Sequence, residues 1–286
     1  GAGTVGISRD AAGTSITVTC SGGSGVISGR RVTKNAGASW EGHTSGTASY
    51  TYSVGAHETV SNIYGNIYND DNSTNTGPYT SYGIPKAPIN VSISKSSTVA
   101  GRITGSWSAP DYVGQSLNKY VVKRKDTVTN EVTTIVDSNT TTFTDNNLVR
   151  GRAYDYEIYI VGNSSPGNGL SSTVTGVIAP GIPSQPVPYS AESPLMLSKT
   201  GRNVTITCQA SANDYGNSIT KYYIDYSIDG TTWSSKQEMT NRSFTYLLLP
   251  PAKTYQFRCY AYNSIGYGDF TFSIPLFVPA GGKRLR

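Results

Sequence analysis

The sequence has few of the residues from which catalytic and metal sites are built. It contains two histidines, three cysteines and two methionines among 286 residues, and only 14% of its residues are charged. Enzymes usually need a tuned acid, base or nucleophile, or a bound metal. The two histidines, His43 and His57, stand in turn-like stretches outside any metal-binding motif. We therefore expect no enzymatic activity, no metal and no cofactor.

Long apolar and basic runs are also missing. No stretch approaches the roughly 20 apolar residues of a membrane helix, and the first residues lack the regions of a signal peptide. These features predict a soluble chain without membrane insertion. The net charge of +5 is dispersed, and the one dense basic run at the C-terminus is too short to indicate nucleic-acid binding. Its residues Lys283, Arg284 and Arg286 are a candidate assembly contact.

Turn-forming and strand-forming residues are abundant, and they recur. The sequence has 31 glycines and 21 tyrosines, a composition that favours short strands and predicts an all-β fold. The segment Gly83–Pro88 returns as Gly181–Pro186 roughly one hundred residues later. This repeat predicts three modules, residues 1–84, 85–182 and 183–279, and a basic tail at 280–286. Proline-rich joints are semi-rigid, which favours a spacing or adhesive role.

The second and third modules share a specific spacing. Leu148 stands six positions before Tyr154, as Leu249 does before Tyr255. This pattern resembles the turn before strand F of fibronectin type III domains, and the resemblance extends over residues 86–278. It implies tandem immunoglobulin-like β-sandwiches in which each tyrosine hydroxyl bonds back to the backbone at a corner.

Matching strands place further residues in the predicted cores. Trp107 of the second module aligns with Cys208 of the third, and both are expected to face inward. Cys208 and Cys259 either form a bridge between the sheets of the third module, leaving Cys20 free, or all three cysteines are reduced core residues. We favour the reduced state.

The first module matches less closely. Thr17–Cys20 resembles the cysteine strand of the third module, and Gly37–Trp40 mirrors Gly230–Trp233. The expected strand-F tyrosine is missing near residues 57–61. We predict a shortened or divergent sandwich here.

A segment rich in tyrosine and asparagine is the candidate recognition surface. Aromatic faces stack on sugars and amides bond hydroxyl groups, so a glycan or host-surface contact is predicted at Tyr64, Tyr68, Asn72, Tyr79 and Tyr82. Alternatively, Tyr64 and Tyr68 share strand parity and simply cover one face of a sheet. The loop tips at 163–169 and 263–268 are candidates for a protein contact.

Pairs of carboxylates raise the alternative of hydrolysis or calcium binding. Asp70 and Asp71 lack the spacing and closing glutamate of a calcium loop. Asp111 and Asp214 belong to equivalent loops of separate modules, so we interpret them as turn residues rather than as a glycosidase pair.

The C-terminal segment carries a second resemblance. Residues 277–284 are similar to a short segment near the ends of minor tail proteins of phages that infect actinobacteria. With the module array, this resemblance implies a non-enzymatic structural protein of the phage tail, located in the virion and partnered by other tail subunits in an oligomeric assembly. A host cell-surface glycan is a further expected partner. The alternative is an extracellular spacer or carbohydrate-binding region of a bacterial adhesin or polysaccharide-degrading enzyme.

Overall fold

The computed structural model of the chain describes residues 2–24, 27–69, 72–165 and 167–280. Within these ranges the regular structure consists of β-strands, and no helix occurs. All paired strands in the sheets are antiparallel. The predicted all-β class is confirmed.

The first module folds into two sheets around one core. Its strands are β1 (Thr4–Arg9), β2 (Ser15–Ser21), β3 (Gly29–Thr33), β4 (Glu41–Thr44), β5 (Ala48–Ser53), β6 (Val60–Tyr68) and β7 (Ser73–Ser81). They form a sheet of order β1-β2-β5 and a sheet of order β4-β3-β6-β7. Buried side chains from both sheets, among them Val18 and Ile63, form the core between them.

The second module has the same arrangement. Its strands are β8 (Ile89–Lys95), β9 (Ile103–Ser108), β10 (Leu117–Asp126), β11 (Val132–Ser138), β12 (Thr142–Asp145), β13 (Ala153–Gly162) and β14 (Asn168–Ile178). The two sheets have the orders β12-β9-β8 and β11-β10-β13-β14. The first module therefore has as many strands as the second, in the same sheet order.

The third module repeats the pattern with a divided last strand. Its strands are β15 (Met196–Thr200), β16 (Asn203–Thr207), β17 (Lys221–Ser227), β18 (Gln237–Glu238), β19 (Ser243–Tyr246), β20 (Lys253–Tyr262), β21 (Thr271–Phe272) and β22 (Leu276–Val278). One sheet has the order β15-β16-β19, and the other has the order β18-β17-β20-β21 with β22 also pairing β20. In each module we call the solvent side of the larger sheet its outer face.

Alternation along the strands explains why the predicted core residues are inside. In β13 every second residue, including Tyr154, is buried, because successive side chains of a strand point to opposite faces. The residues predicted for the cores and corners are each at most 5% exposed. They are Cys20, Trp107, Tyr154, Cys208, Tyr255 and Cys259.

The corner tyrosines bond to the loops that precede them. The Tyr255 hydroxyl donates to the carbonyl oxygen of Pro250 at 2.7 Å, and the Tyr154 hydroxyl accepts from the N–H of Val149 at 3.2 Å. Each bond joins the tyrosine to the residue five positions before it, and so fixes the loop that connects the two sheets. One neutral hydrogen bond of this kind stabilises a fold by about 1 kcal/mol.

In the first module an arginine closes the corresponding loop. The Arg9 guanidinium donates to the carbonyl oxygens of Gly55 at 3.2 Å and Glu58 at 2.6 Å, and also to that of Gly13 at 2.8 Å. The loop between β5 and β6 is thus fixed from β1 rather than by a strand-F tyrosine. Burial lowers the pKa of Arg9, although the nearby carboxylates of Glu58 and Asp10 oppose that effect.

The preference for three reduced cysteines is wrong for one pair. Cys208 and Cys259 form a disulfide between the two sheets of the third module, with their Cα atoms 6.7 Å apart. Both lie in the core of that module, where matching inward positions on facing sheets bring them together. Cys20 is a buried free thiol, and burial raises its pKa.

The first and second modules meet through loops. Thr59, in the loop between β5 and β6, donates its hydroxyl to the carbonyl oxygen of Val113 at 2.5 Å. Gln115 of the same second-module loop donates its amide to the carbonyl oxygen of Gly83 at 2.9 Å. Gln115 is only 6% exposed, so this bond is shielded from water.

The second and third modules meet through the equivalent loops. Arg150, in the loop between β12 and β13, pairs with Asp269 at 2.5 Å and lies 5.2 Å from the ring centre of Tyr215. Asn217 donates its side-chain amide to the carbonyl oxygen of Ser96 at 3.3 Å. Both joints therefore connect the same end of one module to the opposite end of the next.

Both joints share an unusual backbone conformation. Val113 and Tyr215 have φ angles of +55° and +47°, and the glycines that follow them, Gly114 and Gly216, also have positive φ. A residue with a side chain rarely adopts this region, least of all a β-branched one. Such strain persists where the surroundings fix it, and here each strained residue contacts the preceding module. The joints are repeated, formed contacts rather than free tethers.

Candidate functional site

The five residues predicted to contact a glycan are spread along the β6–β7 hairpin of the first module. Tyr68 and Asn72 line one small depression near its turn. Tyr79 is 39% exposed. Tyr82 lies at the opposite end of the hairpin, beside Gly114 of the second module, and Tyr64 packs beside the bend at residue 77. Only Tyr68 and Asn72 are brought together at one depression.

Several predicted residues lie outside the described part of the chain. They are Asp70 and Asp71, considered for calcium, and the candidate assembly residues Lys283, Arg284 and Arg286. Among the residues that the structure describes, no cluster of three or more histidine, cysteine, aspartate or glutamate side chains is arranged to hold a metal ion.

The two histidines contact backbone carbonyls. Nε2 of the exposed His43 lies 3.0 Å from the carbonyl oxygen of Trp40. Nδ1 of the half-buried His57 lies 2.6 Å from the carbonyl oxygen of Ile84, in the segment that leads into the second module. His57 is therefore part of the first joint.

The two aspartates considered as a carboxylate pair shape the joint loops. Asp111 accepts from the N–H of Val113 at 2.9 Å, and Asp214 accepts from the N–H of Gly216 at 2.8 Å. The bond from Val113, aided by Lys86, lowers the pKa of Asp111. Each carboxylate caps the turn that holds a strained residue, which agrees with their interpretation as turn residues.

The loop tip at 263–268 serves the second joint as well. Asn263 is fully buried, and its side-chain amide donates to the carbonyl oxygen of Gly181 at 2.9 Å. Its side-chain oxygen accepts from the N–H groups of Ile265 and Gly266 at 2.9 and 3.2 Å. Asn263 connects this loop to the segment between modules and is not available for a partner.

A much larger aromatic surface lies on the outer face of the third module. In β20, Phe257 and Cys259 point into the core, so the alternate residues lie on the opposite side of the sheet, where Tyr260 is 5% exposed. We define the aromatic face by the rings that contact one another there, with centroids 4.9–6.2 Å apart. Its members are Tyr223, Trp233, Tyr260, Tyr262, Tyr267, Phe270 and Phe272.

One end of the aromatic face is organised by Arg258. Its guanidinium lies 4.1 Å from the ring centre of Trp233 and 4.3 Å from that of Phe270, and so sits between two rings. It also donates two hydrogen bonds to Asp225, at 2.7 and 3.1 Å. Asp225 is 2% exposed and accepts a third bond from the Tyr260 hydroxyl at 3.1 Å. Burial, with Asp225 next to it, raises the pKa of Tyr260.

The other end is a cluster of tyrosines with one lysine over it. The ring of Tyr267 lies 5.6 Å from that of Tyr223 and 4.9 Å from that of Tyr262. Nζ of Lys236 lies 4.3 Å from the ring centre of Tyr267 and 5.4 Å from that of Tyr223, and it bonds the Tyr267 hydroxyl. That hydrogen bond raises the pKa of Lys236. The ammonium group lies against the tyrosine rings.

The first module has a smaller version of the arginine stack. The Arg31 guanidinium lies 4.7 Å from the ring centre of Trp40 and 5.0 Å from that of Tyr68. It donates to the side-chain amide oxygen of Asn66 at 2.9 Å, whereas Arg258 of the third module donates to a carboxylate. Trp40 occupies the position that mirrors Trp233, so this similarity extends the one seen in the sequence.

The second module lacks the aromatic face. Strand register matches Tyr223 to Val121, Tyr262 to Val161, and the pair Asp225–Arg258 to Lys123–Glu157. The aromatic face is thus a property of particular residues and not of the sheet itself. The second module provides a natural control for it.

Sequence reasoning missed this surface, although part of the signal was present. Tyr260 and Tyr262 alternate with Cys259, so strand parity alone puts them on the solvent side. Trp233, Tyr267 and Phe270 come from outside the strands, and their approach to Arg258 and Lys236 depends on loop paths that the sequence does not specify.

A comparison of the chain with models of known protein families finds no match. In the described residues, no helix is both long and apolar enough to cross a membrane.

Proposed function

We propose that this protein is a non-enzymatic component of a bacteriophage tail, a minor tail protein that projects an array of fibronectin type III modules toward the host cell surface. The observation that carries the proposal is the repeated joint. Both joints use the same loops and the same strained backbone position. Such joints set the direction of successive modules, which is what a projecting spacer requires.

The strand arrangement supports the fibronectin type III assignment. Each module combines a three-stranded sheet with a larger sheet, and the first two have the orders β1-β2-β5 with β4-β3-β6-β7, and β12-β9-β8 with β11-β10-β13-β14. The hydrogen bonds of Tyr154 and Tyr255 to the preceding loops add the corner typical of the family.

The C-terminal end supports attachment to another subunit. The segment at 277–284 resembles the ends of actinobacteriophage minor tail proteins. Leu247 and Leu248 are 70% and 64% exposed in the loop between β19 and β20, whose last residue, Ala252, donates its N–H to the carbonyl oxygen of Val278 at 2.7 Å. The same positions in the second module are Asn146 and Asn147, at the end where the third module docks. Contiguous exposed apolar surface is a feature of protein interaction sites.

Mass spectrometry and immunogold labelling of purified particles from the source locus test the proposal. We expect the chain in the particles and the label on the tail. Particles without the chain, with the protein in the culture medium instead, would reject the virion assignment.

Two variants test the attachment site within that experiment. The pair Leu247→Asn and Leu248→Asn installs the residues of the second module, and deletion of residues 279–286 removes the terminal segment. We expect both to reduce incorporation into particles, whereas Val128→Asn, which changes an equally exposed apolar residue elsewhere, should not. Normal incorporation of both variants would show that attachment lies elsewhere.

The alternative, a spacer or carbohydrate-binding region of a secreted bacterial adhesin or polysaccharide-degrading enzyme, is favoured by one observation. The aromatic face of the third module is a surface suited to sugars. Tail genes next to the coding sequence would argue against this alternative, and neighbouring genes for secreted polysaccharide-degrading enzymes would support it.

A further inference from the structure

We propose that the tyrosine end of the aromatic face binds a saccharide that carries carboxylate or phosphate groups, with the sugar rings on Tyr223, Tyr262 and Tyr267 and the anionic group on Lys236. This assigns a ligand class to a surface in the third module, away from the hairpin that the sequence singles out. As a host-contact surface it rests on the proposed function, but binding itself is a property of the chain alone.

The first argument is the position of the rings. They lie on the outer side of the sheet, where strands normally carry polar residues. Tyr267 is 41% exposed, Tyr223 and Tyr262 are half-buried, and the adjoining Tyr260 is 5% exposed. The core of the third module is complete without them, since it is formed from the inward residues of the two sheets. Contiguous aromatic surface of this kind marks an interaction site.

The second argument is the chemistry of the rings. Tyrosine presents an apolar face to the C–H surface of a pyranose and a hydroxyl to its polar edge. Tyr223 meets Tyr262 and Tyr267 edge to face, with 84° and 72° between the ring planes, and Tyr262 and Tyr267 are tilted by 48°. The three phenols therefore restrain one another and present ring faces at different angles. A group of rings that is already ordered loses little entropy when a ligand binds.

The third argument is charge. Near these rings, Lys221 is paired with Glu238 at 2.8 Å and Arg258 with Asp225 at 2.7 Å. Lys236 contacts tyrosines, and in the described part of the chain it has no carboxylate partner. After the internal pairs are formed, one positive charge is left over the rings. It is complementary to an anionic group on the ligand.

The single charge also separates this ligand from nucleic acid. A nucleic-acid surface neutralises several phosphates with several lysines or arginines. Here one ammonium group stands beside phenol rings, which matches a sugar that presents one anionic group to the site.

Binding of the full chain to matched pairs of probes tests the proposal. Methyl esterification of hexagalacturonate removes the carboxylate charge and adds one methyl group per residue. Mild acid followed by phosphatase removes the phosphodiester-linked groups of yeast phosphomannan and gives its neutral form. Poly-glutamate supplies carboxylates without sugar rings. Binding is measured by isothermal titration and by saturation-transfer NMR of the probe.

We expect at least one anionic glycan to bind about tenfold more tightly than its neutral form, because a charge-assisted hydrogen bond contributes on the order of that factor. Binding only of hexagalacturonate assigns carboxylate sugars, and binding only of phosphomannan assigns phosphate sugars. Poly-glutamate should bind at least tenfold more weakly than the preferred glycan.

The variants have controls in the second module. Lys236→Gln should weaken binding about tenfold. The pair Tyr223→Val and Tyr262→Val installs the residues found at Val121 and Val161, and should weaken binding by a similar factor through lost stacking. Lys123→Gln, which removes a lysine 5.5 Å from the ring centre of Tyr159 on the same face of the second module, should leave binding unchanged.

Several results would overturn the proposal. They are no binding of either anionic glycan, equal binding of charged and neutral forms, binding of poly-glutamate as tight as that of the glycans, or unchanged binding by the Lys236 variant. Failure here with the chain present on phage tails would reject the glycan site and leave the proposed function standing. Glycan binding by a chain that is absent from particles would support the glycan site and reject the proposed function in the phage tail.

Discussion

Replacing Arg150 by alanine should loosen the joint between the second and third modules without unfolding either one. Arg150 pairs with Asp269 at 2.5 Å and lies 5.2 Å from the ring centre of Tyr215. An exposed ion pair contributes about 0.2–1 kcal/mol, and an exposed cation–π contact about 0.5–1 kcal/mol.

The exposure of the pair sets the size of the effect. The side chains of Arg150 and Asp269 are 37% and 47% exposed, so solvent screening holds the ion pair near the low end of its range. Together the two contacts contribute about 1 kcal/mol to closure of the joint, which is a roughly fivefold change in the ratio of closed to open forms. Adding Asn217→Ala removes the bond to Ser96 and about another 1 kcal/mol.

Relaxation of ¹⁵N nuclei measures this directly. In the wild type we expect the second and third modules to tumble with a common correlation time, and in the double variant we expect shorter, separate times for the third module. Lys119→Ala is the matched control, since it removes an ion pair with Asp137 of similar exposure inside the second module. Unchanged tumbling in the double variant would refute the view that these side chains hold the joint.

Four further outcomes are expected. Tyr255→Phe removes one corner hydrogen bond and should lower the free energy of unfolding by about 1 kcal/mol in urea titrations, whereas an unchanged midpoint would mean that the corner adds nothing. Denatured but unreduced protein should react with one equivalent of iodoacetamide, at Cys20, and reduced protein should react with three equivalents. Reaction with three equivalents before reduction would disprove the disulfide. Burial raises the pKa of Tyr52 to about 12, above its value near 10 in the unfolded chain. The stability that this shift contributes is complete below about pH 10 and is lost as the pH rises toward 12. Urea midpoints that stay constant from pH 9 to pH 12 would contradict this expectation. Leu248 has a φ of +52°, and the second module has Asn147 at +60° in the same position. Because asparagine adopts this left-handed region at lower cost than leucine, Leu248→Asn should stabilise the isolated chain by about 1 kcal/mol in thermal unfolding. A lower unfolding midpoint would show that packing of the leucine side chain stabilises the fold.

Strand parity was the most informative feature of the sequence. The spacing of Leu249 and Tyr255 identifies a loop and an inward strand, and alternation from Tyr255 then determines which residues of β20 face the core. These are local properties that follow from the period of a strand. For the same reason the core-facing residues of the second and third modules could be predicted from the sequence.

The missing corner tyrosine of the first module had a less visible replacement. Arg9 closes the loop at residues 55–58 from a strand nearly fifty residues earlier. A guanidinium reaches several carbonyls at once, so one distant arginine performs the task of a local phenol. The sequence shows the loss of Tyr but not the residue that compensates for it.

The joints and the aromatic face depended on contacts distant in sequence. Val113 is β-branched and predicts extended backbone, yet the contact with Thr59 and the turn capped by Asp111 hold it at positive φ. The stack on Arg258 likewise requires Trp233 and Phe270 to approach from two separate loops. Local preference does not encode such choices, because tertiary contacts override it.

The two joints share a backbone conformation and an amide that donates to a main-chain carbonyl, from Gln115 at the first and from Asn217 at the second. Their remaining side chains differ, since Thr59 bonds a main-chain carbonyl at the first joint, whereas Arg150 contacts Asp269 and Tyr215 at the second. A chain with its modules in another order would keep every sheet and every core, yet it would bring together loops whose side chains do not match. The loops at the module ends therefore determine the order of the modules along the chain. An array with its modules in another order would need new side chains in these loops.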